Sequence, residues 1–289
     1  MRPGVGHTQE KTPAAAEKPA TSPALRPVKR IAVKPGQVVA AIGDIHGDLT
    51  ALRGALKLAG AIDEKDQWIG GDRFVVLTGD YLDRGDDEKA IWDLLLALQG
   101  QAQTAGGAVF PLIGNHEMLN AQGDFGSVSM RGKLAFNEKG LTRRQLFAPG
   151  GKLALLLATR KVTLVIGRTV FVHGGITTTQ VRRGLDELNL EAVEFLSGRR
   201  STLDFDVNTM LWMRHYSNGT PSDEICEELA ATLKQIDADR MVMGHTPQKT
   251  INAACGDRAW RIDVGLSRHY GSNGPEVLII DGNQVKVLR

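Results

Sequence analysis

Cysteine is scarce in this 289-residue chain: only Cys226 and Cys255 occur, outside any Cys-x-x-Cys or Cys/His ligand spacing. Neither a disulfide framework nor a thiolate metal site is indicated, and the expectation is two buried thiols packing as small hydrophobes. An excess of charge of one sign is also lacking. Lys and Arg number 35 against 33 Asp and Glu, a formal net charge of +2, so no polyanionic partner and no nucleic acid is implied. No apolar run approaches the ~20 residues that span a bilayer, so no membrane partner is expected. Pro3, Lys11, Glu17 and Lys18 interrupt the ~7–15 residue apolar core that a secretion signal needs, and the expected location is the cytoplasm. Periodicity is lacking at the N-terminus: residues 1–36 hold six of the eleven prolines and no apolar repeat, which reads as a disordered Pro/Ala-rich tail before a catalytic domain at 37–289.

From Val38 onward the pattern changes to short apolar runs that end in glycine-rich polar loops. Strands are predicted at Val38–Ile42, Phe74–Leu77, Val109–Ile113, Val162–Ile166, Val170–Val172 and Met241–Met243. Helices are predicted at Leu49–Leu58, Glu88–Leu98, Arg143–Ala158 with a break at Pro149-Gly150-Gly151, and Asp223–Ile236. A closing hairpin is predicted at Glu276–Ile280 and Val285–Leu288 about Asp281-Gly282-Asn283. The fold class is mixed α/β, with a central mixed sheet or two-sheet sandwich and helices outside.

Five loops that follow these strands carry the chemistry: Gly43-Asp44-Ile45-His46-Gly47-Asp48, Gly79-Asp80-Tyr81-Leu82-Asp83-Arg84-Gly85, Gly114-Asn115-His116-Glu117, His173-Gly174-Gly175 and Gly244-His245-Thr246. An Asp-x-His pair on extended backbone projects a carboxylate and an imidazole to one side, as chelation requires. Four of the seven histidines fall in these loops, a distribution that scattered core histidines would not produce. Carboxylate, imidazole and amide oxygen without thiolate suit Mn²⁺, Fe or Zn²⁺, and there are too many candidate ligands for one four-coordinate ion. Two divalent ions about 3.5–4 Å apart would use them all, and a hydroxide between two cations forms near neutral pH. Arginine suits a phosphate because its planar fork donates parallel charge-assisted hydrogen bonds. A leaving alkoxide or phenoxide needs a proton, and His116 held by Asp83 fits that task.

In order and separation, the motifs GDIHGD, GDYLDRG, GNHE, HGG and GHT resemble the phosphoprotein phosphatases of the calcineurin-like metallophosphoesterase superfamily, over positions 43–246. The run Asp83-Arg84-Gly85-Asp86-Asp87-Glu88, the segment from Met118 to Phe125 and Leu211-Trp212-Met213-Arg214 are similar to the bacterial-type, Shewanella-like branch. The resemblance implies a β-sandwich of mixed sheets flanked by helices, with a dimetal site at one sheet edge. It implies Asp44 and His46 on the first metal, Asp80 bridging, and Asn115, His173 and His245 on the second. It further implies Arg84 and Arg214 on the phosphate with Asn115 beside them, and His116 as general acid oriented by Asp83.

The implied activity is hydrolysis of phosphotyrosine, phosphoserine or phosphothreonine on a protein or peptide, by direct attack of a metal-bridging hydroxide with no phosphoenzyme. The alternative is a nucleotide hydrolase of the diadenosine-tetraphosphate type, which shares the scaffold but tends to replace the carboxylate at the place of Asp83. Trp260 to Gly271, with Arg268, His269 and Tyr270, reads either as a rim beside the metals or as a packed turn.

Overall fold

The computed structural model describes residues 28–137, 140–271 and 274–289. Eleven strands form among them: β1 (Arg30–Ile31), β2 (Val38–Ile42), β3 (Phe74–Leu77), β4 (Ala108–Pro111), β5 (Thr163–Ile166), β6 (Thr169–Val172), β7 (Arg240–Met243), β8 (Asn252–Ala254), β9 (Ala259–Arg261), β10 (Val277–Asp281) and β11 (Gln284–Leu288). The helices are α1 (Leu49–Leu58), α2 (Glu88–Thr104), α3 (Asn115–Gln122), α4 (Gly132–Ala135), α5 (Arg143–Phe147), α6 (Lys152–Leu157), α7 (Thr178–Arg183), α8 (Leu185–Leu196), α9 (Phe205–Trp212) and α10 (Asp223–Gln235).

Strands such as β3 and β6 are buried at every position, which is why they read as unbroken apolar runs rather than as an alternation. They assemble into two mixed sheets, one ordered β11-β10-β2-β3-β4 and the other β1-β5-β6-β7-β9-β8. Both sheets contribute to one contiguous core, a sandwich with helices outside. In the first sheet β2, β3 and β4 run parallel; in the second β6, β7 and β9 do. Each parallel triplet therefore delivers its three C-terminal loops to one edge, where irregular backbone can carry function without disturbing the core.

The predicted strands and helices recur with small shifts. α2 runs beyond Leu98 to Thr104 because Leu95, Leu98 and Ala102 keep one buried face, while Gly100 lies in open space. The predicted 143–158 helix is interrupted where expected, into α5 and α6. The closing hairpin pairs Asp281 with Gln284 across Gly282 and Asn283, with Gly282 at a φ of 55° that suits a two-residue turn.

Two expectations need correction. The tail expected over 1–36 extends too far, since β1 within it pairs in parallel with β5. Arg30 also donates to the carbonyls of Ile236 (2.8 Å) and Gly167 (3.2 Å), and Val28, Ile31 and Val33 pack on the core. Residues 1–27 of that tail lie outside the described residues. The cysteines are not free thiols: Cys226 in α10 and Cys255 just after β8 form a disulfide, with Cα atoms 5.0 Å apart. Their separation of 29 positions matches no spacing motif, and only the packing of α10 against the β8–β9 corner brings them together.

Candidate active site

Asp44 follows β2, Asp80 follows β3, Asn115 and His116 follow β4, His173 follows β6 and His245 follows β7. All six are at most 5% exposed. His46, in the same loop as Asp44, directs Nε2 towards Asp80 (3.8 Å) and Asp44 (4.0 Å). On the other side of Asp80, His173 Nε2 lies 3.3 Å from Oδ2 and 2.8 Å from Asn115 Oδ1. Asp80 is thus common to two groups, His46–Asp80–His116 and Asp80–His173–His245, and within each the ligand atoms lie within 4.8 Å of one another. His46 and His173 each donate Nδ1–H to a backbone carbonyl, of Leu82 (3.2 Å) and Thr78 (2.9 Å). Those bonds leave Nε2 free to ligate.

The backbone is bent to achieve this convergence. His46, Asp80, Asp83, Arg84 and His245 all have φ between 44° and 67°, a region that side-chain-bearing residues seldom occupy. The flanking glycines make room for the carboxylates. A Cβ on Gly114 would stand 2.2 Å from Asp80 Oδ1, and one on Gly244 2.3 Å from Asp44 Oδ1. Glu117, buried on the first turn of α3, accepts from the amides of Gly114 and Asp80 (both 2.8 Å), Leu82 (3.0 Å) and Tyr81 (3.1 Å), and so shapes two ligand loops at once.

The electrostatics call for cations. Asp44, Asp80, Glu117 and Asp263 are all buried here. Burial, reinforced by Asp263 and Asp80, pushes Asp44 well above the usual carboxylate range. Burial likewise pushes Glu117 up to about 7 and Asp263 up to about 6. Burial holds His46 and His245 down at about 3, so both imidazoles are neutral at pH 7, the form that ligates a metal. His245 Nε2 is buried with no hydrogen-bond partner, an orphan of the kind that a bound cation would satisfy. The donor set, the glycine cradles and this orphan together fit divalent metal ions held by Asp44, His46, Asp80, Asn115, His173 and His245.

Beside the ligands His116 and Asp83 form a buried, hydrogen-bonded pair. His116 Nδ1 donates to Asp83 Oδ2 at 2.7 Å, leaving Nε2 facing the cluster. Burial opposes protonation of His116, but Asp80 and Asp83 outweigh it and raise its pKa. Arg84 reaches Nε2 of His116 (3.5 Å) and of His269 (3.3 Å). Arg214 donates to the His245 carbonyl (3.0 Å) and the Thr246 hydroxyl (3.1 Å), which places it against the opposite side of the cluster.

Residues 38–249 match the calcineurin-like phosphoesterase family. The chain belongs to that family. It is a hydrolase of the metallophosphoesterase kind, a phosphatase. Over 296 aligned positions it is 34% identical to Shewanella-like protein phosphatase 2 of Arabidopsis thaliana, covering 86% of this chain and 75% of the relative. It is 30% identical to Shewanella-like protein phosphatase 1 of Plasmodium berghei, covering 88% of this chain and 74% of that one. Among solved structures, the cold-active protein-tyrosine phosphatase of a psychrophilic Shewanella superposes with a TM-score of 0.77 at 24% identity, covering 91% of this chain and 83% of the other, a likeness of fold.

The structure also brings in Asp263, to which the sequence reading gave no role, and shows what several residues of the quoted motifs touch. Asp263, 2% exposed, follows β9 just as Asp44 follows β2, but the short, mixed Ala259-Trp260-Arg261 concealed the strand that positions it. Asp48 caps α1 through Ala51 and also accepts from Arg268 N and Nε, both at 2.9 Å, pinning the turn at Arg268–Tyr270 to the first ligand loop. That turn forms a rim: Tyr270 lies 5.5 Å from the His46 ring and 5.5 Å from the Arg84 guanidinium. Trp212, 44% exposed, stands edge-on to His245 at 5.7 Å on the other side.

Proposed function

We propose that the chain is a dimetal phosphoprotein phosphatase that hydrolyses phosphate monoesters on tyrosine, serine or threonine side chains. The observation that carries this reading is Asp83–His116 with Arg84, set directly beside the Asp80 ligand cluster. Asp44 and His46 would hold one ion, Asn115, His173 and His245 the other, and Asp80 would bridge them, with manganese the expected metal and iron or zinc also suited to these ligands. Two such ions supply Lewis acidity, lowering the pKa of water and neutralising charge on the phosphate. The chain's own residues do the rest. Arg84 and Arg214 grip phosphate oxygens from either side of the cluster, with Asn115 beside them. His116 gives a proton from Nε2 to the departing oxygen, and Asp83 holds the ring and favours its charged form. Cys226 and Cys255 have no part, since they are tied to each other.

Trp212 and Tyr270, both partly exposed beside the cluster, offer aromatic walls to a phosphotyrosine ring. Relatives named protein phosphatases support a phosphoprotein as substrate. Asp83, present and hydrogen-bonded to His116, favours this reading over the diadenosine-tetraphosphate type. As for location, the Cys226–Cys255 bridge supports an oxidising compartment in place of the cytoplasm expected from the sequence. No helix among the described residues is long and apolar enough to cross a membrane.

Manganese-dependent phosphate release from matched phosphotyrosine, phosphoserine and phosphothreonine peptides, run beside diadenosine tetraphosphate, tests the proposal. Peptide turnover abolished by a chelator and by Asp80→Asn is expected. Turnover of the dinucleotide alone would overturn the protein-phosphatase reading, and full activity in Asp80→Asn would overturn the bridging role.

A further inference from the structure

Arg143 lies outside every metal-ligand motif, on the five-residue helix α5, yet its guanidinium is inserted into the molecule with only 3% of the residue exposed. All five N–H groups have acceptors. Nε donates to Asn120 Oδ1 (2.8 Å), Nη1 to Glu88 Oε2 (2.5 Å) and the Gly132 carbonyl (2.8 Å), and Nη2 to Glu88 Oε1 (2.9 Å) and Asp83 Oδ1 (3.4 Å). The rings of Phe147 (5.0 Å), Phe136 (5.2 Å) and Phe125 (5.9 Å) enclose it. A buried charge held this completely fixes its partners as well as itself.

Those partners converge on Asp83. Its amide donates to Glu88 Oε1 (2.6 Å), its Oδ1 accepts from Asn120 Nδ2 (2.8 Å) as well as from Arg143, and its Oδ2 holds His116. Asn120 also donates to the His116 carbonyl (2.9 Å), so the imidazole is held through both its ring and its backbone. Without Arg143, the buried Glu88 carboxylate would have no cation, and Asp83 beside it would keep only His116.

We propose that Arg143 is a positioning residue for phosphate-ester cleavage, fixing through Glu88, Asn120 and Asp83 the direction in which His116 Nε2 meets the leaving oxygen. The inference rests on the reading of His116 as general acid. It gives the segment between GNHE and HGG, which supplies none of the metal ligands, a share in turnover: α5 carries the arginine, and α4 supplies the Gly132 carbonyl that helps to hold it.

The test uses the full chain with manganese and two substrates, 4-nitrophenyl phosphate with a good leaving group and phenyl phosphate with a poor one. His116→Asn should reduce kcat for phenyl phosphate far more than for the nitrophenyl ester. Arg143→Lys keeps the charge but not the five-donor fork, and should show the same selective loss, roughly 10- to 100-fold on phenyl phosphate, with KM and manganese affinity unchanged. In the double variant the Arg143→Lys effect should vanish, because it acts through His116. An equal loss on both esters, or a loss that persists undiminished beside His116→Asn, would mean a structural role and overturn the inference. Should Arg143→Lys fail to fold, Glu88→Gln tests the same clamp and must give the same leaving-group signature. If His116→Asn itself leaves the ratio of the two esters unchanged, the acid reading fails and the inference falls with it. If His116→Asn shows the ratio and the clamp variants do not, the inference alone falls.

Discussion

Opening the Cys226–Cys255 bridge should destabilise the protein by an amount set by the chain it closes. In the loop-entropy account, a cross-link removes ~2.1 + 1.5R ln n cal/mol/K from the unfolded ensemble. With n taken as the separation of 29 positions, this is ~12 cal/mol/K, or about 3.6 kcal/mol at 25 °C. An unfolding entropy of ~2.1 cal/mol/K per residue over about 260 folded residues is about 0.55 kcal/mol/K, so the midpoint should fall by about 6 to 7 °C. Melts of the manganese-loaded chain, oxidised, reduced and as the paired Cys226→Ala, Cys255→Ala variant, measure this directly, with thiol titration reporting the state of the bond. Because the bridge ties α10 to the β8–β9 corner rather than to a ligand loop, phosphate release well below the melt should be unchanged. Two thiols that titrate as free before reduction, or a midpoint that does not move after verified cleavage, would refute the reasoning.

Four further outcomes are expected. Gly114→Ala places a methyl 2.2 Å from Asp80 Oδ1 and should abolish manganese binding by calorimetry, whereas Gly100→Ala, in open space on α2, should stabilise by about 0.5–1 kcal/mol. Burial opposes ionisation of Glu276, but the Ile251 amide, the Thr250 hydroxyl and Arg289 hold its carboxyl below the ordinary value. Its stabilising contribution is therefore present above the unfolded-state pKa of ~4.3 and lost as pH falls towards the lower folded value, so Glu276→Gln should cost about 1 kcal/mol at pH 7 and progressively less in acid, as urea melts would show. Tyr270→Ala, which removes the ring beside Arg84 and His46, should raise KM for aryl phosphates more than for phosphoserine peptides.

Much of the site was legible because metal chemistry leaves a dense local signature. Asp44, His46, Asp80, Asn115, His173 and His245 each sit next to a glycine or one residue away from one, directly after an apolar strand, and the fold brings all six together. What escaped has physical reasons. α3 buries the polar Asn115, His116, Glu117 and Asn120 alongside Met118 and Ala121, so its buried face carries little apolar periodicity to detect. Asp263 hides behind a three-residue strand of mixed polarity. Arg143 reads as one basic residue of a surface helix, and its partners Asp83 and Glu88 are 60 and 55 positions distant. The disulfide and β1 are likewise products of tertiary packing between segments far apart in the chain.

The pairing of β2 with β10 bears on how the protein is made. β2 carries the first ligand loop, but β10 begins at Val277, after Asp263 and every other site residue has already been synthesised. A nascent chain therefore possesses all its candidate ligands, and β3 on one side of β2, before it possesses β10, the strand that flanks β2 on the other side. A chain interrupted just before Val277 would retain every candidate ligand but leave one edge of β2, the strand that carries the first ligand loop, without its antiparallel partner.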